Sequence, residues 1–222
     1  MHLIEDHPGA AGSAGLGDGA LSQERFINDI YLAVDKATVG ELDRLRDEEG
    51  ITPTCRLGCC HCCRFHILTN AAEAHTLAQY IKRELSPEQI DALRWRTQRW
   101  HEWEHSLPGR LSVAPLDSPA EFADYEHCCP LLVDGACIAY AVRPVICRTH
   151  FVRTHPLSCR AATDPASTAK APVSLLSVVA ASRPFVDAIK DRIEGAGLDF
   201  SRSIMPLPYW LAREMDWDFG LS

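Results

Sequence analysis

The sequence predicts a mostly helical fold: a single small domain in which a cysteine-rich loop and a short β-hairpin form a metal site. Two observations support the helical class, because apolar residues recur at helical spacing and capping patterns stand at the starts of these segments. The third observation is ten cysteines among 222 residues, which fall in two blocks. Hydrophobic residues at 46% and charged residues at 23% exclude a coiled coil, a collagen or a disordered chain.

The composition also predicts the limits of the domain. Residues 1–20 are polar and rich in glycine, so we expect a disordered tail there. This segment lacks the basic stretch and the apolar run of a secretory signal, which favours a cytoplasmic protein. The cysteine-cluster domain is then expected over 21–222, with its metal-binding core at 50–162.

The helices are predicted from caps and apolar stripes. The capping pattern of Asn70 and Glu73 starts one helix, and that of Ser86 and Gln89 starts the next. Pro108 and the glycine after it are expected to end this second helix. The other predicted helices run from Ser22 to Gly50, from about 174 to 194 with a break at Pro184, and from Pro208 to Met215.

One histidine pair on the predicted helix after Ser86 has a spacing that suits zinc. His101 and His105 are four residues apart, but no Glu-x-x-His pattern accompanies them. The adjacent Glu102 and Glu104 favour a plain solvated face instead.

The first cysteine block spans Cys55 to Cys63 and contains the pattern Cys-x3-Cys-x2-Cys. Gly58 lets the backbone turn, so that several sulfurs can point toward one centre. Structural disulfides are disfavoured, because they need an oxidising compartment and because neighbouring cysteines bond each other only with strain. Thiolates are soft ligands that select zinc, iron–sulfur clusters or copper(I), so a metal site fits better.

The second block runs from residue 128 to 159. Asp134-Gly135 between two short apolar runs predicts a hairpin that brings Cys129 close to Cys137. A turn at Arg143-Pro144 is expected to lead into a short helix that carries Cys147, with Arg148 beside it.

The two blocks together resemble the YkgJ-type cysteine-cluster family, described as a putative zinc- or iron-chelating CxxCxxCC domain. The resemblance rests on Cys-x3-Cys-x2-Cys-Cys followed by Cys-Pro-Leu-Leu, Gly-x-Cys-x-x-Tyr and Arg-Pro-x-x-Cys-Arg. It implies that Cys60 and Cys128 are additions to the family pattern. The metal ligands that it implies are Cys55, Cys59, Cys62, Cys63, Cys129, Cys137, Cys147 and Cys159.

The residues favour an iron–sulfur cluster over zinc as the cofactor. The second block has no pair of Cys-x2-Cys ligands of the zinc-finger kind, whereas iron–sulfur ligation requires only four thiolates at one cluster. The first block also has the three-cysteine spacing of radical-SAM enzymes, but their alternating strands and helices are not predicted here. Vicinal cysteines seldom both bind one mononuclear ion, so eight thiols suit a polynuclear cluster or two centres. We expect at least one site to bridge the blocks, which would close a loop of more than 60 residues.

Several charged residues beside the cysteines are candidates for tuning such a site. Arg143 and Arg148 are expected next to the cofactor, where they would offset the negative charge of the thiolates; the alternative for Arg143 is pairing with a surface carboxylate. The histidines adjacent to cysteines could replace or tune a ligand, although each alone is more often a surface residue. They are His61, His127, His150 and His155.

Three functions remain open at this point. The first is a metal-binding protein, and the second is a metal-dependent enzyme that modifies a protein side chain. The resemblance supplies the second, since flagellin lysine N-methylases have a similar cluster but are larger. The third is a zinc-stabilised interaction module. The formal net charge of −8 argues against nucleic acid as the main partner, and no apolar run predicts a membrane span, so the expected partners are the metal and a protein.

Overall fold

The computed structural model describes residues 16–56, 58–106, 127–163, 167–168 and 170–220, with side chains described from residue 22 onward. The described part is mostly helical, as the sequence predicts, and it contains two small antiparallel sheets of two strands each. The α-helices are α1 (Leu16–Glu49), α2 (Ala71–Glu84), α3 (Pro87–Ser106), α4 (Val145–Thr149), α5 (Leu157–Ala161), α6 (Leu176–Ala181), α7 (Arg183–Gly195) and α8 (Leu207–Glu214). The strands are β1 (Leu68–Thr69), β2 (Leu132–Val133), β3 (Ala136–Cys137) and β4 (Met205–Pro206).

The first helix is longer than the apolar stripe predicts. Helix α1 begins at Leu16, so the expectation of a disordered tail over 1–20 is wrong for its last five residues. Residues 1–15 of that expected tail lie outside the described residues. The predicted end is confirmed, because Gly50 follows the helix with a φ of +66°, a conformation that glycine adopts without strain.

Both predicted capping patterns are confirmed. The Asn70 side chain accepts a hydrogen bond of 3.1 Å from the backbone N–H of Glu73 at the start of α2. At the start of α3, Ser86 Oγ accepts from Gln89 N at 3.3 Å, and Gln89 Oε1 accepts from Ser86 N at 2.8 Å. Helix α3 ends at Ser106, and the expected stop at Pro108 lies outside the described residues.

The two sheets differ in how far apart their paired strands lie in the sequence. Strands β2 and β3 form the predicted hairpin, in which Asp134 and Gly135 have φ angles of +50° and +77°. Positive φ at both central residues defines the tight turn that matches the twist of the strands. Strand β1 pairs with β4, far along the chain, with Thr69 opposite Met205. This second pairing is not predicted from the sequence.

The main apolar core lies where α1 packs against α2, α4 and α7, and it positions the cysteine blocks. Ile27 and Val34 of α1 are fully buried in it, as are Ile81 and Leu93. The last predicted helical stretch does break, because Ser182 separates α6 from α7 and Pro184 lies in the first turn of α7.

Candidate metal centre

The two cysteine blocks meet in the folded chain. The backbone N–H of Cys129 donates a hydrogen bond of 2.7 Å to the carbonyl of Cys63. A second link joins Val152 N to the sulfur of Cys55 at 3.4 Å, across 97 positions of sequence. Because both links cross from one block to the other, the thiols of the two blocks share one region of the protein.

The first block is a turn followed by one 3-10 turn. Gly58 has a φ of +85°, and Cys59 N donates to Arg56 O at 2.9 Å just after it. The segment His61–Arg64 is a 3-10 helix that contains Cys62 and Cys63. The sequence predicts the turn, whereas the 3-10 helix is a feature that only the structure reveals.

Short elements present the cysteines of the second block. Cys129 precedes the hairpin, and its carbonyl accepts from Leu132 N at 2.9 Å. Cys137 lies in β3, Cys147 in α4 and Cys159 in α5. Helix α5 packs against the 3-10 helix of the first block. The predicted location of Cys147 on a short helix is therefore confirmed.

Burial keeps most of these thiols protonated. It is the largest cause that raises the pKa of Cys129 to about 12 and that of Cys159 to about 11. Burial likewise raises the pKa of Cys147 well above its ordinary value, with smaller contributions from nearby thiolates. Cys62 differs, because a hydrogen bond from Cys63 stabilises its thiolate and lowers its pKa. The same hydrogen bond raises the pKa of Cys63.

The thiolates that affect each other reveal which cysteines are neighbours. The pKa of Cys159 is raised by burial first, and then by the thiolates of Cys55, Cys62 and Cys59. The pKa of Cys129 is raised by burial first, with the thiolate of Cys137 also contributing. The expected proximity of Cys129 and Cys137 at the hairpin agrees with this interaction.

The thiols lie in one region of the protein, but their sulfurs are not arranged around one point as metal ligands would be. None of the ten cysteines, all of which are described, forms a disulfide bond. Among the described residues, no group of three or more Cys, His, Asp or Glu side chains is arranged so that it could hold a metal ion.

The two predicted arginines have different surroundings. Arg143 lowers the pKa of Cys137 electrostatically, although burial outweighs this effect, and its guanidinium lies 3.9 Å from the centre of the Tyr140 ring. Arg148 is buried and donates to Asp35 Oδ2 at 2.6 Å and to the Arg143 carbonyl at 2.8 Å. It also donates to the carbonyl of Ala141.

Two further groups near the thiols were not identified from the sequence. Arg96 of α3 donates to the carbonyl of Pro130 at 2.7 Å, and the thiolates of Cys128 and Cys129 raise its pKa against the larger lowering effect of burial. Glu73 accepts from Val145 N at 2.7 Å at the start of the helix that carries Cys147. The capping pattern marks Glu73 as structural, but no local signal links Glu73 or Arg96 to the second block.

The histidines adjacent to cysteines have separate environments. His127 stacks on Trp103 with ring centres 4.0 Å apart, and His150 contacts the Phe65 ring edge-on at 5.7 Å. His61 is half-buried in the 3-10 helix, and His155 is exposed. Burial lowers the pKa of both His127 and His150.

The interpretation of the His101 helix face as solvated is wrong for two of its residues. His101 and Glu104 are both buried, while His105 is exposed. The ring of His101 lies 3.0 Å from the carbonyl of Pro208, because α8 packs against this side of α3. The buried face of α3 is therefore wider than its tryptophans indicate.

Comparisons of the chain with protein-family models, curated proteins and solved structures found no match. Within the described ranges, no helix combines the length and the apolar character that crossing a membrane requires.

Proposed function

We propose that this protein binds a thiolate-coordinated metal centre, an iron–sulfur cluster in preference to zinc. The ligands would come from both blocks, as the resemblance to the YkgJ-type family implies. The observation that carries the proposal is the backbone contact of 2.7 Å between Cys129 and Cys63, which joins the two most cysteine-rich segments of the chain. Thiols that merely fill apolar space have no reason to gather from two distant segments.

The donor chemistry supports this proposal. The thiols of both blocks offer the sulfur ligands that zinc and iron–sulfur clusters prefer. The raised pKa values of Cys129, Cys147 and Cys159 keep these thiols protonated without metal, so binding would release protons and convert them to thiolates. Arg96 and Arg143 interact with the thiolates of the second block and would offset part of the negative charge of such a centre.

The energetics favour a centre that stabilises the fold. A metal bridging the blocks would close the loop between Cys63 and Cys129 and restrict the unfolded chain. Metal binding to a site that the unfolded chain lacks contributes directly to folding, by about 10–16 kcal/mol for zinc in small peptides. When bound, an iron–sulfur cluster would also supply an electron-accepting site.

The first experiment is anaerobic purification without added metal, followed by elemental analysis and an absorption spectrum of the same sample. We expect iron, acid-labile sulfide and absorbance at about 400 nm. Colourless protein with stoichiometric zinc would show that the centre holds zinc instead of an iron–sulfur cluster. Protein without metal would contradict the proposal.

The Cys62→Ser variant tests the ligand assignment. Metal content and thermal stability should fall together, because the bound metal contributes to folding. Cys60→Ser is the matched control, since Cys60 lies outside the proposed ligand set two residues away. Unchanged metal in Cys62→Ser, or complete loss in Cys60→Ser, would show that the assignment is wrong.

A further inference from the structure

We infer that the eight cysteines form two adjacent four-thiolate centres, divided between Cys62 and Cys63. This inference rests on the proposed function and specifies how its ligands are shared. The core centre comprises Cys63, Cys129, Cys137 and Cys147. The loop centre comprises Cys55, Cys59, Cys62 and Cys159.

The core centre is defined by packing against the main apolar core. Cys129 is buried within that core, and Cys63 and Cys137 pack against it. The backbone bond from Cys129 N to Cys63 O fixes these two residues side by side. Cys147 joins them from α4, whose first residue, Val145, is also buried in the core.

The loop centre is held by a separate set of contacts. Val152 N donates to the sulfur of Cys55, and Val152 O accepts from Thr54 N at 2.9 Å. These bonds fasten the start of the first block to the segment that leads into α5. Helix α5 packs on the 3-10 helix and carries the buried Cys159 toward Cys62.

The geometry of the 3-10 helix separates the two groups. With about three residues per turn, consecutive side chains leave such a helix about 120° apart. Cys63 packs against the core, so Cys62 leaves the helix in a different direction, where its thiolate acts on Cys159 of the loop group. The hydrogen bond between the two thiols keeps them in contact, which would place the two centres next to each other.

The electrostatic neighbours follow the same division except at Cys62. The thiolates that act on Cys159 are those of Cys55, Cys62 and Cys59, all members of the loop centre. The thiolate of Cys62 also acts on Cys63, Cys129 and Cys147 of the core centre, so Cys62 lies at the boundary between the two groups. Each group supplies the four thiolates that a closed zinc site or an iron–sulfur cluster requires.

Native mass spectrometry of the anaerobically purified full chain tests the inference by counting bound zinc ions or clusters. The wild type should hold about two centres, each with four thiolate ligands. Cys159→Ser should lose one of them, Cys137→Ser should lose the other, and the double variant should lose both. Cys60→Ser and Cys128→Ser are the controls and should retain both centres.

Double variants that include Cys62→Ser give the sharpest test of how the ligands are divided. Combining Cys62→Ser with Cys159→Ser should remove no more metal than either change alone, because both affect the loop centre. Combining Cys62→Ser with Cys137→Ser should remove all of it. Circular dichroism checks that each variant remains folded, and Cys55→Ser replaces Cys159→Ser if the latter does not fold.

The two-centre inference is overturned if the wild type holds a single centre, or if any one of these substitutions removes all the metal from a folded chain. A wild type with one centre would leave the proposed metal-binding function intact. A wild type without any metal would overturn both.

Discussion

The carboxylate of Glu73 and the thiol of Cys147 are neighbours in the interior, yet the protein holds them differently. Glu73 accepts hydrogen bonds from Val145 N at 2.7 Å and from Asn70 Nδ2 at 2.6 Å. Thr69 Oγ1 donates a third at 3.2 Å. The chain itself therefore satisfies this buried acid.

The hydrogen bonds of the thiols are weaker, and those to Cys129 and Cys137 come from the backbone of Leu131 and Ala139. Cys55 accepts from Val152 N, and Cys63 donates to Cys62, but both bonds involve sulfur, which is a weak hydrogen-bonding atom. Burial is the largest cause of the raised pKa values of Cys129, Cys147 and Cys159. Under the proposed function, a bound metal would therefore add more to this region than to the polar network.

The comparison indicates which part of the fold would depend on the proposed metal centre. The polar network around Glu73 and Arg148 should be stable without it, because its hydrogen bonds are all internal. Under the proposed function, the binding energy of the metal would add to the stability of the cysteine region. Substitutions in each region can test this difference.

The largest expected effect comes from Arg148→Met. It removes the donors to Asp35 and to the carbonyls of Ala141 and Arg143, which should lower the free energy of unfolding by about 3 kcal/mol. The loss should be equal in metal-loaded and metal-free protein, as measured by urea denaturation. Arg46→Met, at an exposed ion-paired arginine of α1, is the control and should leave stability almost unchanged, because water screens such a pair. A loss confined to metal-loaded protein would contradict the separation of the two regions.

Asn70→Ala should have a smaller effect. Asn70 caps α2 and also donates to Glu73, so its removal should lower the free energy of unfolding by about 1–2 kcal/mol. Ser86→Ala removes an exposed cap of α3 that has no buried partner and should cost less. Equal losses in the two variants, measured by urea denaturation, would mean that the bond to Glu73 adds nothing.

The smallest effect concerns pH. Burial lowers the pKa of His101 below its ordinary value of 6.5, so the folded state favours the neutral ring. The stability that this histidine contributes is present above pH 6.5 and is lost as the pH falls through its folded pKa. In His101→Phe this loss should disappear, so the variant should gain stability relative to wild type between pH 8 and pH 5. Thermal unfolding of metal-free samples measures this difference, and parallel curves for the two proteins would refute it.

The sequence predicts the local features of this fold well. The caps at Asn70 and Ser86 and the hairpin at Asp134 each depend on residues within three positions of one another. Contacts between distant segments carry no such signal, and the pairing of β1 with β4 is one example.

The candidate site also combines features that local sequence predicts with contacts that it does not predict. The spacing of the cysteines identifies the thiols, and their meeting was expected from loop closure. Arg96 was missed because its partner, Pro130, lies 34 positions away on an unrelated segment. Glu73 was recognised only as part of a cap, because its bond to Val145 spans 72 positions.

The pairing of β1 with β4 has a consequence for the order of events during synthesis. Strand β1 follows the first cysteine block within a few residues, and Trp210 Nε1 donates to the Thr69 carbonyl across 141 positions. Leu207 N donates to Ile67 O at 2.8 Å in the same place. Both cysteine blocks are therefore synthesised before the segment that pairs with the flank of the first one. A growing chain thus passes through a stage in which every cysteine has been added and strand β1 still lacks its partner strand.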